Sequence, residues 1–124
     1  MTAVTDVIDG QVDAYRDRAL DRFLSFYAED AVITNGDGKV VMSGMADLRD
    51  QYGKSFRANP AVKIEIARRI AVGDYVVDEE HLSNLGDPPR AGDLHAVVAY
   101  RVSGGLISRV LLLANTRLPA PADG

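Results

Sequence analysis

A chain of 124 residues with 47% apolar and 26% charged side chains is long enough to bury one hydrophobic core without a covalent staple. It has no cysteine, which excludes a disulfide framework, a thiol nucleophile and a thiolate metal site. Its net charge of −4 argues against binding a phosphate backbone, which needs clustered Lys and Arg, and apolar runs such as Val110 to Ala114 are too short to span a bilayer. A cytoplasmic protein that binds neither nucleic acid nor membrane is expected, and with two histidines at no recognisable ligand spacing, neither a metal nor a cofactor is.

From Val4 the apolar residues fall at Val7, Ile8, Val12 and Tyr15, which predicts a first helix with one buried face and Thr2 or Thr5 as its cap. Leu20, Phe23, Leu24 and Tyr27 repeat that spacing in a second, shorter helix ending near Glu29 and Asp30. Ala31 to Thr34 and Lys39 to Met42 flank Asn35-Gly36-Asp37-Gly38, residues that tolerate positive φ, and predict a hairpin. Met45, Leu48, Tyr52 and Phe56 mark a third helix, which Pro60 stops.

Strand patterns follow. Val62, Ile64 and Ile66 alternate; Tyr75 to Asn84 follows the turn Gly73-Asp74; Leu94 to Val102 and Leu106 to Ala114 flank Ser103-Gly104-Gly105. The end, residues 119–124, reads as a disordered tail, leaving a single domain over residues 1–118. Helices first and hairpin-linked strands afterwards predict an α+β fold, with helices on one face of a mostly antiparallel sheet. Leu94, Ala96, Val98 and Tyr100 form one row of their strand, while Val97 and Ala99 share the other with His95 and Arg101. A second apolar face predicts a covered surface, most simply that of a homodimer.

This order of elements, with AYRDRALDRFLSFYAEDAVI at Ala14 to Ile33, a hairpin closing in SGM, and the terminal pair VVAYRVSGGLISRVLLL, resembles the nuclear transport factor 2-like superfamily, including its steroid delta-isomerase-like and SnoaL-like members. The resemblance implies the order ααββαββββ, a curved antiparallel sheet wrapped around three helices into a cone with a pocket at its open end, and dimerisation through the outer sheet face. In ketosteroid isomerases an Asp base works with a Tyr and a protonated Asp that donate to the oxyanion. Aligned through YAEDAVITN, the base position falls on Asn35, the Tyr donor on Gln11 and the Asp donor on Val98, so no ketosteroid isomerase activity is expected.

The same comparison makes Gln11, Asn35, Tyr52 and Val98 candidate substrate-binding residues, and Tyr15 joins them from the stripe of the first helix, its hydroxyl reaching a polar edge. It sets Val77, Glu79, His81 and Ser83 inward on their strand, with Asp78 and Glu80 outward. Glu79 and His81 are then the candidate catalytic pair, a carboxylate beside an imidazole suited to acid/base work near neutral pH. Because side chains alternate, a one-residue slip would exchange the two rows, and a solvated acidic edge is the competing account of the same stretch. Two functions stay open: a cofactor-free isomerase, cyclase or dehydratase acting by proton transfer on a compact apolar metabolite, or a non-catalytic ligand-binding or dimerisation module.

Overall fold

The computed structural model describes residues 3–118. Its elements run α1 (Val4–Arg16), α2 (Leu20–Leu24), β1 (Tyr27–Asn35), β2 (Val40–Ser43), α3 (Met45–Ala58), β3 (Lys63–Val72), β4 (Tyr75–Ser83), β5 (Asp93–Ser103) and β6 (Leu106–Leu118). The expected order ααββαββββ is present, as an α+β fold with a single six-stranded sheet in the order β2-β1-β6-β5-β4-β3. Neighbours pair antiparallel except β1 and β6, which run parallel.

Helix α1 turns Val7, Ile8, Gln11, Val12 and Ala14 inward, so the stripe read from its spacing is the buried one. Its N-cap is Ala3, with no side-chain hydrogen bond; Thr5 sits within the first turn, and Thr2 and the expected tail lie outside the described residues. Helix α2 stops at Leu24, earlier than its spacing predicts. The Ile107 N–H donates to the Phe26 carbonyl at 2.8 Å and Tyr27 aligns with Ile107, so pairing with β6 draws residues 27–30 into a strand. Helix α3 ends at Ala58, two residues before Pro60.

The sheet is bent by bulges, at Ala67 on β3 and at Ser108 and Leu113 on β6, where each adds a residue against its partner strand. α1 packs against β3, β4, β5 and β6 on the concave face. Ile8, Ile33, Leu48 and Ile107 are fully buried there, and each contributes roughly 1.5–3 kcal/mol by leaving water. The Asn35-to-Gly38 turn closes with the Gly38 N–H on the Asn35 carbonyl at 2.9 Å.

Candidate functional site

Toward one end of the concave face the packing opens into a cavity of about 280 Å³. The helices supply Gln11, Val12 and Tyr15 from α1, Phe23 from α2 and Tyr52 from α3. The sheet supplies Tyr27, Glu80, Ala96, Val98, Tyr100 and Leu112, among others. Four of the chain's five tyrosines line it, so the walls are aromatic and aliphatic with hydroxyls at chosen points. Phe23 packs against Tyr52 with centroids 4.8 Å apart and against Tyr27 at 5.2 Å, which locks the helical side of the wall.

The β4 row on the concave face is Val76, Asp78, Glu80 and Leu82, of which Glu80 and Leu82 line the cavity, the opposite of the row expected from the resemblance. Strand pairing decides it. Glu80 lies across from Ala96, Asp78 from Val98 and Val76 from Tyr100, and the Ala96, Val98, Tyr100 row of β5 faces the helices. Glu80 is 6% exposed and Asp78 fully buried. Glu79 and His81 therefore stand on the convex face beside His95 and away from the cavity. The two rows of β4 could have been told apart by their ends: Val76 and Leu82 bracket the even row with aliphatic residues, whereas the odd row ends in Ser83.

Of the other sequence candidates, Gln11, Tyr15, Tyr52 and Val98 line the cavity. Asn35 does not. Its Oδ1 accepts from the backbone N–H groups of Asp37 and Lys39, each at 3.0 Å, so the side chain is spent on the hairpin turn.

A chain of hydrogen bonds crosses the cavity floor in one direction. The Tyr27 hydroxyl donates to Gln11 Oε1 at 3.1 Å, Gln11 Nε2 to the Tyr100 hydroxyl at 3.5 Å, and the Tyr100 hydroxyl to Glu80 Oε2 at 3.2 Å. Burial pushes the phenol groups of Tyr27, Tyr52 and Tyr100 up from their ordinary range, so they remain donors. Burial also raises the Glu80 carboxyl from 4.5 to about 7, with Asp78 adding to the rise and Tyr100 and Arg69 working against it. A carboxyl poised there can both accept and release a proton near neutral pH.

Asp78, one pleat along, is committed to structure. Arg69 Nε and Nη2 reach its two carboxylate oxygens at 2.6 and 3.0 Å, and Arg69 Nη1 reaches Asp9 Oδ1 at 2.6 Å, tying β4, β3 and α1 together. Among the described residues, the one group with the makings of a metal-ligand set, Glu79, His81 and His95, is on the convex face. No described helix is long and apolar enough to cross a membrane.

Comparison with known proteins bears on the fold. No curated protein matches the chain. Among solved structures, a cystatin-fold protein from Novosphingobium aromaticivorans superposes with a TM-score of 0.81 at 25% identity, over 90% of this chain and 97% of that one. A protein with a ketosteroid isomerase-like fold from Catenulispora acidiphila, crystallised with trimethylamine, gives 0.72 at 14% identity, over 90% of this chain and 84% of that one. TerC, co-crystallised with polyporic acid, gives 0.74 at 16% identity over 92% and 90% of the two chains. The model of the SnoaL-like domain matches residues 8–110, nearly all of the helices and sheet described above, and the chain belongs to the SnoaL-like family within the nuclear transport factor 2-like fold.

Proposed function

We propose that the cone binds a compact, largely apolar metabolite bearing a carbonyl group, and that Glu80 moves a proton on it without a cofactor, in an isomerisation, cyclisation or dehydration. The observation that carries this reading is the placement of Glu80. Among the described residues it is the only carboxylate lining the cavity, between aromatic and aliphatic walls, and it is held by the Tyr100 hydroxyl. A cavity of about 280 Å³ lies at the small end of the roughly 300–1,000 Å³ usual for ligand pockets, which favours a ligand of one or two rings. Tyr100, Tyr52 and Gln11 are the groups available to orient its oxygen.

The same reading makes the protein a cytoplasmic homodimer joined through the convex sheet face. Half-buried Val77, Val97, Ala99 and Leu111 support that face as the contact. A second reading, a non-catalytic binding module, is favoured by Gln11 and Val98 at two positions where ketosteroid isomerases carry acidic or phenolic donors.

Deuterium incorporation distinguishes the two. A panel of one- and two-ring cyclic ketones and enones is incubated with the protein in D2O, binding is followed by isothermal titration and exchange α to the carbonyl by mass spectrometry. Exchange by the wild type that falls at least about a hundredfold in Glu80→Gln, with binding retained, supports proton transfer by Glu80. Equal exchange by the variant removes Glu80 from the mechanism, and binding with no exchange by the wild type leaves the binding module.

A further inference from the structure

The convex face carries a cluster that the cavity does not use. Antiparallel pairing sets His81 of β4 directly across from His95 of β5, with ring centroids 4.5 Å apart. Glu79 lies one pleat along β4, and its Oε2 is 2.7 Å from His95 Nε2. One ligand atom from each of the three residues lies within 4.8 Å of the others, and all three side chains are half-buried. These are the chain's only two histidines, far apart in sequence and joined by the strand register alone.

We propose that Glu79, His81 and His95 form a binding site for a first-row divalent cation of the zinc type. Two imidazoles and one carboxylate are the donors such ions prefer, whereas magnesium and calcium take oxygen ligands almost exclusively. Zinc bound at about 2.0–2.1 Å sets tetrahedral ligands roughly 3.3 Å apart, so ligand atoms that lie within 4.8 Å of one another close by no more than about 1.5 Å. Side-chain rotation supplies that movement, because both strands lie inside the sheet and hold their backbones in place. Three protein ligands leave a fourth position for water or another donor.

The surroundings fit this use. Arg68 Nε holds the other oxygen of Glu79, Oε1, at 2.6 Å, which leaves Oε2 directed at the imidazoles, the kind of outer contact that orients a metal ligand. Among the described residues the His81 side chain makes no hydrogen bond and meets the His95 ring, so its nitrogens are uncommitted. Glu65 of β3 is paired with His81 and stands on the same face, adding negative charge beside the site. In metal-free protein the short His95–Glu79 contact does what the cation would do, drawing the two ligands together.

The test uses the tag-free chain, stripped with EDTA and dialysed. Isothermal titration with Zn2+ is expected to show one ion per chain at micromolar or tighter affinity, weakened at least tenfold by His81→Gln or His95→Gln and absent from the double variant, with no comparable uptake of Mg2+. Co2+ added to the wild type alone, which depends on no variant folding, is expected to give visible d–d bands of a nitrogen-ligated ion. Zinc uptake unchanged in the double variant, or a wild type with no stoichiometric zinc and no cobalt bands, overturns the site.

Discussion

Tyr100 reaches past Asp78 to donate its hydroxyl to Glu80 Oε2 at 3.2 Å, although the residue paired with Tyr100 across the sheet is Val76. The ring therefore leans along the strand, and the one cavity carboxylate depends on a neutral donor where a cation would have been cheaper electrostatically. The Arg69 guanidinium, whose charge Glu80 feels, is already taken by Asp78 and Asp9.

Glu80 makes stability fall as pH rises. Its folded-state carboxyl is raised to about 7 from 4.5, so between those values the folded protein keeps a proton that the unfolded chain has lost. Stability falls wherever the folded state binds more protons, and over the full window the loss is on the order of 3 kcal/mol. In Glu80→Gln this dependence disappears: the variant is expected to match wild type near pH 4 and exceed it by up to about 3 kcal/mol at pH 8. Urea unfolding in EDTA buffer across that range checks it, and parallel curves for the two proteins would rule it out.

Tyr100→Phe removes the hydrogen bond that favours ionised Glu80. The carboxyl is then expected to titrate above its wild-type value, extending the same stability window at its upper end while its lower end, set by the unfolded chain, stays in place. Carbon-13 NMR of glutamate carboxyls reads this directly; a Glu80 resonance that titrates unchanged or lower contradicts the contact.

Arg69 is worth far more to Asp78 than to Asp9. Asp78 is fully buried and Asp9 is 59% exposed, so Arg69→Met strands one charge in the core and releases the other to water. We expect a loss of about 3–5 kcal/mol for Arg69→Met and less than about 1 kcal/mol for Asp9→Asn. The double variant Arg69→Met, Asp78→Leu should recover most of the larger loss, because no unpaired charge remains. Thermal and urea melts of the three proteins decide it, and equal losses for the two single changes would refute the asymmetry.

Two glycines separate backbone from side-chain crowding. A Cβ on Gly36 would stand 2.5 Å from the Leu113 carbonyl oxygen, whereas on Gly10 it would stand 2.5 Å from the edge of the Phe26 ring. A carbonyl inside a paired strand cannot turn away; a half-buried ring can. Gly36→Ala is expected to cost about 1–3 kcal/mol, while in Gly10→Ala a gain of about 1 kcal/mol in helix propensity offsets much of the ring's displacement. Urea midpoints compare the two, and a smaller loss for Gly36→Ala would reverse the assignment.

The helices and the hairpin were legible because their information is local: Val7, Ile8 and Val12 share a stripe, and Asn35 to Gly38 spell a turn. The Leu94, Ala96, Val98 and Tyr100 row was legible for the same reason. What was hidden depends on partners distant in sequence. Tyr27 fits a helical stripe as well as a strand until Ile107 pairs with it. Glu79 and Glu80 carry the same chemistry one residue apart, and beyond the hint of aliphatic Val76 and Leu82 at the ends of the even row, the pairing of β4 with β5 decides which enters the cavity. His81 and His95 look unrelated in the chain, and the same register brings them together.

The parallel pairing of β1 with β6 has a consequence for synthesis on the ribosome. β1 belongs to the first third of the chain, yet its neighbour toward the sheet centre is Leu106–Leu118, so the early hairpin and the later β3-β4-β5 block have no sheet contact until that strand emerges. Until then the nascent chain holds two half-sheets with open edges, which β6 joins in a late docking step. The interval before that step is when this protein most needs shelter from its neighbours, and any lesion that delays β6 lengthens it.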